Sequence, residues 1–137
     1  MRSNEKDRGA AAVEFALMFP LVIMLLIAIF EFSRLWNVQA TMADGARLAA
    51  RYAAVHGNGL SGAALDPIKA AAATQATEIP GLVDWTTATI VIEVDCDVAG
   101  VATSEITYAP GSVTQWFGEA LGNPIELIST GKMPCGG

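Results

Sequence analysis

The chain has 137 residues, of which 53% are hydrophobic and only 16% are charged, and its formal net charge is −6. Average soluble domains are about 45–50% apolar and about 25% charged, so this composition argues against disorder and against an ordinary soluble domain. The length allows one small domain with an appendage and excludes a large multidomain enzyme.

The large apolar side chains are concentrated near the N-terminus. Residues 10–30 read AAAVEFALMFPLVIMLLIAIF, in which only Glu14 and Pro20 interrupt the apolar run. As a helix this segment would be roughly 31 Å long, close to the ~30 Å hydrocarbon core of a bilayer. A buried core helix is the first alternative, but residues 15–30 have no polar face, and the alanine-rich remainder could hardly cover them on every side. We therefore predict a transmembrane helix.

A secretory signal peptide is the second alternative, because such a peptide also begins with a basic segment and an apolar run. After Phe30, however, the chain continues with EFSRLWNVQATMADGARLAARYAA, which has bulky and charged residues where a small-residue cleavage site should lie. We expect the segment to stay attached as an anchor. A cleaved, secreted protein remains the third functional hypothesis.

The orientation follows from the basic residues Arg2, Lys6 and Arg8, which precede the apolar run. The positive-inside rule keeps that end cytoplasmic and exports the C-terminal part. Residues 35–137 hold 4 basic and 10 acidic side chains, a net charge of −6. Nucleic acids and anionic lipid headgroups bind clusters of Lys and Arg, so we expect no nucleic-acid partner.

A short charged leader, MRSNEKDRG, ends at Gly9 and is followed by AAAVEF. A cut after Gly9 would make Glu14 the fifth residue of the product and Phe15 the sixth. This arrangement resembles the type IV prepilin signal, and residues 8–52 resemble more narrowly the TadE-like family, pseudopilins of tight-adherence (Flp-type) pilus assembly. The elements that coincide are the RG pair before small residues, Glu14 with Phe15, Pro20, Glu31 with Phe32, and ADGARLAAR.

The resemblance implies that a prepilin peptidase cuts between Gly9 and Ala10. It also implies that other pilins or pseudopilins and the inner-membrane assembly platform are partners. The Glu14 carboxylate would then pair with the new amino group of a neighbour, and this pair would set the register because either ion alone in a low dielectric is costly. Alternatively, the Glu14 side chain only extends to the lipid headgroups and does not pair with a neighbouring chain. Pro20 removes a backbone donor and should kink or locally unwind the helix.

The helix is predicted to run from about Ala10 to Val55, beyond the membrane. Its outer part carries a stripe of apolar residues at helical spacing, which suits packing either against the chain's own domain or against another backbone. We favour the chain's own domain. The stripe consists of Leu35, Val38, Met42, Ala46, Ala49 and Tyr52.

The rest of the chain predicts a small α+β domain. Asp66 is a candidate N-cap before Pro67 for an alanine-rich helix that ends before Pro80. Period-two alternation predicts strands over residues 89–98, 101–108 and 125–133, which would form a three-stranded antiparallel sheet with one face on the long helix. Between the last two strands, an amphipathic turn is predicted from Val113, Trp116, Phe117, Ala120 and Leu121.

Cys96 and Cys135 both lie in the exported part, where an oxidising compartment allows them to pair. In the period-two alternation both cysteines fall on the inward-facing side, so a disulfide would link the first strand to the C-terminal tail and hold the sheet together. Closing a loop of about 40 residues would stabilise the domain by ~4 kcal/mol in the chain-entropy model. Two free thiols are the alternative, and no CxxC spacing indicates redox catalysis or zinc binding.

The sequence indicates no enzyme, cofactor or metal site. His56 is the only histidine and is predicted to lie in a glycine-rich loop, where a solvated side chain is expected. The carboxylates of Glu93, Asp95 and Asp97 share one strand face but lack the geometry of a calcium loop, so we interpret them as solvated. No nucleophile elbow, P-loop or metal-spaced set is present.

The predicted organisation is a cytoplasmic leader (residues 1–9), a transmembrane helix (10–34), its exported continuation (35–55) and a small exported domain (56–137). We expect a single-pass protein of the bacterial inner membrane whose C-terminal part is periplasmic or extracellular. The resemblance implies a peptidase-processed pseudopilin that takes part in pilus assembly and hence in surface adhesion. The alternative is a membrane-tethered binding or adhesin module outside any pilus machine.

Overall fold

The structure is a computed structural model that describes residues 4–111 and 125–136, with side chains described from Gly9 onward. Its elements are helix α1 (Asn4–His56), a short 3₁₀ helix (Gly62–Leu65), helix α2 (Asp66–Thr77), and strands β1 (Thr89–Asp95), β2 (Val101–Tyr108) and β3 (Leu127–Pro134). The predicted α+β class, a long apolar N-terminal helix followed by a three-stranded antiparallel sheet, is confirmed. The turn predicted over residues 113–121 lies outside the described residues.

The chain forms two compact units, Met1–Ser33 and Arg34–Gly137, and α1 contributes to both. The first unit is helical from Asn4, six residues earlier than predicted. The leader contains good helix formers and no proline, which explains why the helix can begin there. The helix is continuous through Pro20, so the local unwinding that we considered does not occur.

The sheet of the second unit has the strand order β1-β2-β3, and both pairings are antiparallel. A turn at Gly100, whose φ is +67°, connects β1 to β2. The period-two pattern places Ile92 and Ile106 on the buried face. Val98, which lies within the strand predicted over residues 89–98, is 90% exposed, because β1 ends at Asp95 and the turn begins there. The third strand is shifted from the predicted 125–133 to Leu127–Pro134.

The apolar stripe of α1 is covered by the chain's own sheet and α2, so the interpretation that we favoured is confirmed. Val38, Met42, Ala46 and Ala49 are completely buried in one core cluster with residues of β1, β2 and α2. Small residues allow this close contact. A Cβ on Gly45 would lie 3.1 Å from the Trp85 ring and 3.3 Å from the Ile106 Cδ1 atom.

Helix α2 begins differently from the prediction. Leu65 occupies the N-cap position and Asp66 is already helical, so the prediction that Asp66 caps the helix is wrong. The 3₁₀ turn leads directly into α2, which leaves no extended residue at Asp66 for a side-chain cap. Ala72 and Ala76 are the buried residues of α2.

The loop between α2 and β1 places Trp85 over α1. The Trp85 indole N–H donates a hydrogen bond to the Ile79 carbonyl oxygen at 3.1 Å. The adjacent Asp84 carboxylate accepts hydrogen bonds from the Thr86 hydroxyl at 2.6 Å and the Thr86 amide at 3.0 Å, which lower the pKa of Asp84. These bonds therefore hold above the ordinary carboxyl pKa and weaken only when the pH falls through the lowered value.

Shortening Ile106 tests how tightly the helix packs on the sheet. Ile106 is completely buried, and its Cδ1 atom faces Gly45 of α1. Ile106→Val removes that methyl group and should lower the free energy of unfolding of the second unit by about 1 kcal/mol. Urea unfolding of the full chain in detergent, followed by protease resistance, measures the change. Val91→Ala on the exposed face is the control, and an equal loss there would contradict the packing.

Candidate processing and assembly site

The first unit presents a continuous apolar surface. Fourteen large hydrophobic side chains between Val13 and Phe32 are 38% or more exposed in this structure. Monomeric soluble proteins rarely expose a contiguous apolar patch of more than a few hundred Å². The helix Gly9–His56 is long and apolar enough to cross a membrane. This surface is therefore suited to contact with lipid or with other apolar helices.

The predicted processing residues lie on this helix. Gly9, Ala10, Glu14 and Phe15 are all exposed. Ala10 and Glu14 are four residues apart and share one helix face. The Phe15 ring lies beside that of Phe19, with 5.5 Å between the ring centroids.

Glu14 places an exposed carboxylate on this apolar surface. Among the residues that the structure describes, no hydrogen bond or ion pair engages Glu14. A carboxylate in a membrane helix is costly unless it has a partner or reaches the interface. Glu31, the second acid of the motif, differs from it because its side chain is only 2% exposed. The exposed Glu14 is therefore accessible to another chain.

A disulfide joins Cys96 and Cys135, whose Cα atoms are 5.5 Å apart, as the sequence predicted. The Cys135 amide also donates a hydrogen bond to the Gly100 carbonyl oxygen at 2.8 Å. The bridge therefore ties the residue after β1 to the residue after β3. Disulfides persist in oxidising compartments.

The titratable groups that the structure describes in the second unit form no metal-binding cluster. Within residues 9–111 and 125–136, no group of three His, Cys, Asp or Glu side chains is placed to hold a metal ion. His56 ends α1 instead of lying in the following loop, and its Nδ1 atom is 3.0 Å from the Tyr52 carbonyl oxygen. Its ring stacks on Tyr52, with 4.1 Å between the centroids.

Comparison with protein families identifies the N-terminal segment. Residues 9–51 match the TadE-like protein family. The match confirms the resemblance to this family. It covers most of α1, including Gly9 and Glu14, and ends before α2 and the sheet. No curated protein and no solved structure matches the chain. The TadE-like family indicates a Tad pilus-related function, and together with the long apolar helix it indicates a membrane-anchored protein.

Two polar contacts that the sequence did not indicate tie α1 to distant parts of the second unit. The Arg34 guanidinium donates to the Gly111 carbonyl oxygen at 2.5 Å, and the Gln39 amide donates to the Ile128 carbonyl oxygen at 3.2 Å. Both partners are backbone carbonyls, which any residue type provides. No residue pattern could have predicted these contacts.

Proposed function

We propose that this TadE-like protein is a single-pass pseudopilin, processed by a prepilin peptidase between Gly9 and Ala10, that takes part in the assembly of tight-adherence pili. Residues 1–9 form the cytoplasmic leader, residues 10–34 span the inner membrane, and residues 35–137 are exported. Its partners are the peptidase, other pilins or pseudopilins, and the membrane assembly platform. The observation that carries the proposal is the family match over the motif that contains Gly9 and Glu14.

The charges and the disulfide support this orientation. Arg2, Lys6 and Arg8 lie on the N-terminal side of the apolar segment, as the positive-inside rule requires of a cytoplasmic end. The bridge between Cys96 and Cys135 suits a C-terminal unit in the periplasm or outside the cell.

Glu14 has a defined role in this proposal. Cleavage after Gly9 creates an α-amino group at Ala10, and the Glu14 carboxylate of a neighbouring helix neutralises it at the membrane surface. An unpaired charge in that low-dielectric layer is disfavoured, so the pair fixes how far one helix slides along the next.

Glu14→Ala is expected to abolish or strongly reduce piliation while the protein accumulates normally in the membrane. Pili are counted by electron microscopy, and the membrane level is measured by immunoblot. Phe19→Leu, an apolar exchange on the same helix, is the matched control and should leave piliation intact. Normal piliation in Glu14→Ala cells that have lost surface adhesion would favour the adhesin module instead.

The mass of the protein recovered from membranes of its host tests the processing step. A chain that begins at Ala10 is expected when the prepilin peptidase is active, and the full-length chain when the peptidase gene is deleted. An intact leader in cells with active peptidase would contradict the processing step. Recovery in the soluble fraction without residues 10–30 would instead identify a cleaved, secreted protein.

A further inference from the structure

The second unit has two exposed faces of opposite charge on its two sides. Successive side chains of the sheet alternate, so those that do not pack on α1 point away from it. On α1, the exposed side chains lie about half a turn from the buried stripe. The acidic face consists of Val91, Glu93, Asp95, Glu105, Ile128 and Lys132. The basic face consists of Asp44, Arg47, Leu48, Arg51 and Val55 on the outer side of α1.

The acidic face combines carboxylates with exposed apolar side chains. Its three carboxylates and one ammonium group sum to a charge of −2. Glu105 lies on the central strand, directly opposite Val91 in the pairing of β1 with β2. Val91 is 49% exposed and Ile128 is 54% exposed. The face therefore combines exposed apolar area with negative charge, and a partner surface of opposite charge would complement it.

The basic face also combines charged and apolar side chains, but its net charge is positive. Arg47 pairs with Asp44 at 3.5 Å, which leaves a net charge of +1 from Arg51. Arg51 is exposed and has no ion-pair partner among the described side chains. Leu48 is 39% exposed and Val55 is 58% exposed on the same side of the helix.

We propose that the basic face of one copy packs against the acidic face of a second copy, head to tail. The inference rests on the proposed assembly role and deepens it by naming a partner for the exported part. Opposite signs of charge meet in this arrangement, whereas a symmetric contact would bring like charges together. The contact is heterologous, so each added copy leaves one acidic and one basic face free, and the array can grow.

The net charge of each copy and the small area of the sheet face both limit the strength of this contact. Residues 35–137 carry a charge of −6, and this repulsion between copies is screened beyond a Debye length of about 8 Å at physiological salt. The sheet face is small, since strands of eight residues cover a length of only roughly 26 Å. Anchoring of both copies in one membrane raises their effective concentration, so a modest interface suffices.

Photo-crosslinking in living cells tests the contact on the full chain. Two copies with different epitope tags are co-expressed, and the photoreactive amino acid benzoylphenylalanine replaces Leu48 on the basic face of one of them. We expect a covalent product that contains both tags and whose joined peptide maps to residues 89–108 or 127–134 of the other copy. The matched control places the same probe at Ala70, an exposed residue of α2 outside both faces, where no product is expected.

A charge exchange then tests the proposed complementarity. Arg51→Glu or Glu105→Lys alone should lower the crosslink yield by roughly fivefold, and the two together should restore it, because the side chains at positions 51 and 105 again have opposite charges. Glu78→Lys, which makes the same change in charge as Glu105→Lys but lies outside both faces, should leave the yield unchanged. The disulfide, checked by gel mobility with and without reductant, reports that each variant folds.

The outcomes separate this inference from the proposed function. A Leu48 product with another protein, a product joined to α1 of the second copy, or a double variant that does not recover would overturn the head-to-tail contact. Piliation of Glu14→Ala cells is scored independently. Normal piliation there would refute the assembly role even if the crosslink between copies persists.

Discussion

Gly131→Val is expected to prevent β3 from packing against α1 and to cost at least about 3 kcal/mol of the free energy of unfolding of residues 34–137. A Cβ on Gly131 would collide with the Ala46 carbonyl group and lie 2.8 Å from the Arg47 amide nitrogen. These are backbone atoms of a helix, which cannot move aside as the end of a flexible side chain can. The strand or the helix must shift, and either shift opens the core around Met42 and Ala46.

Gly111→Val provides the matched control, because a Cβ there meets nothing within 4 Å. Its effect should stay within about 0.5 kcal/mol. Both variants are compared with the unchanged chain as full-length protein in detergent, by the urea concentration at which the second unit becomes sensitive to protease. Equal stability of the two glycine variants would show that β3 does not approach α1 as closely as the structure indicates.

The case of Gly131 shows why part of this fold could be predicted from the sequence and part could not. The apolar run, the stripe on α1 and the alternation of β1 and β2 are local periodicities, and each follows from neighbouring residues alone. The contact of Gly131 with Ala46 joins residues far apart in sequence. A glycine within a strand is a general signal of close backbone approach, but it does not name the backbone that approaches.

For the remaining features too, those that depend on local sequence could be predicted, and those that depend on tertiary packing could not. The motif of Gly9, Glu14 and Phe15 could be recognised from spacing, because its residues lie within a single stretch of helix. The cysteine pair could be proposed because the chain contains only two. The prediction that Asp66 caps α2 was wrong because the 3₁₀ turn before this helix depends on how the loop after α1 packs, as the buried side chain of Leu65 shows. Local capping preferences do not include that packing.

To identify the opposite charges of the two faces, both the local sequence pattern and the tertiary structure are needed. The strand alternation alone indicates that Glu93 and Asp95 share a side. Only the pairing of β1 with β2 and the burial of the α1 stripe place Glu105 on that side and Arg51 on the other. Charge complementarity is therefore a property of the folded unit, although every residue that produces it is visible in the sequence.

Removing the disulfide by Cys96→Ser together with Cys135→Ser is expected to lower the free energy of unfolding of residues 34–137 by about 4 kcal/mol. The two cysteines are 39 residues apart, and the loop between them contains all of β2 and all of β3. Without the bridge, the unfolded chain regains the conformational freedom of that loop. The end of β3 is then held by its pairing with β2 and by the hydrogen bond from the Cys135 amide to the Gly100 carbonyl oxygen.

Small domains are stable by only about 5–15 kcal/mol, so a loss of this size removes a large share of the total. Urea unfolding of the full chain in detergent gives the difference between the unchanged chain and the double variant. Reductant supplies the control, because it should destabilise the unchanged chain to the level of the double variant and leave the double variant unaffected. An unchanged chain that is equally stable with and without reductant would show that the bridge contributes nothing. In that case the hydrogen bonds and packing of β3 alone would hold the C-terminus in place.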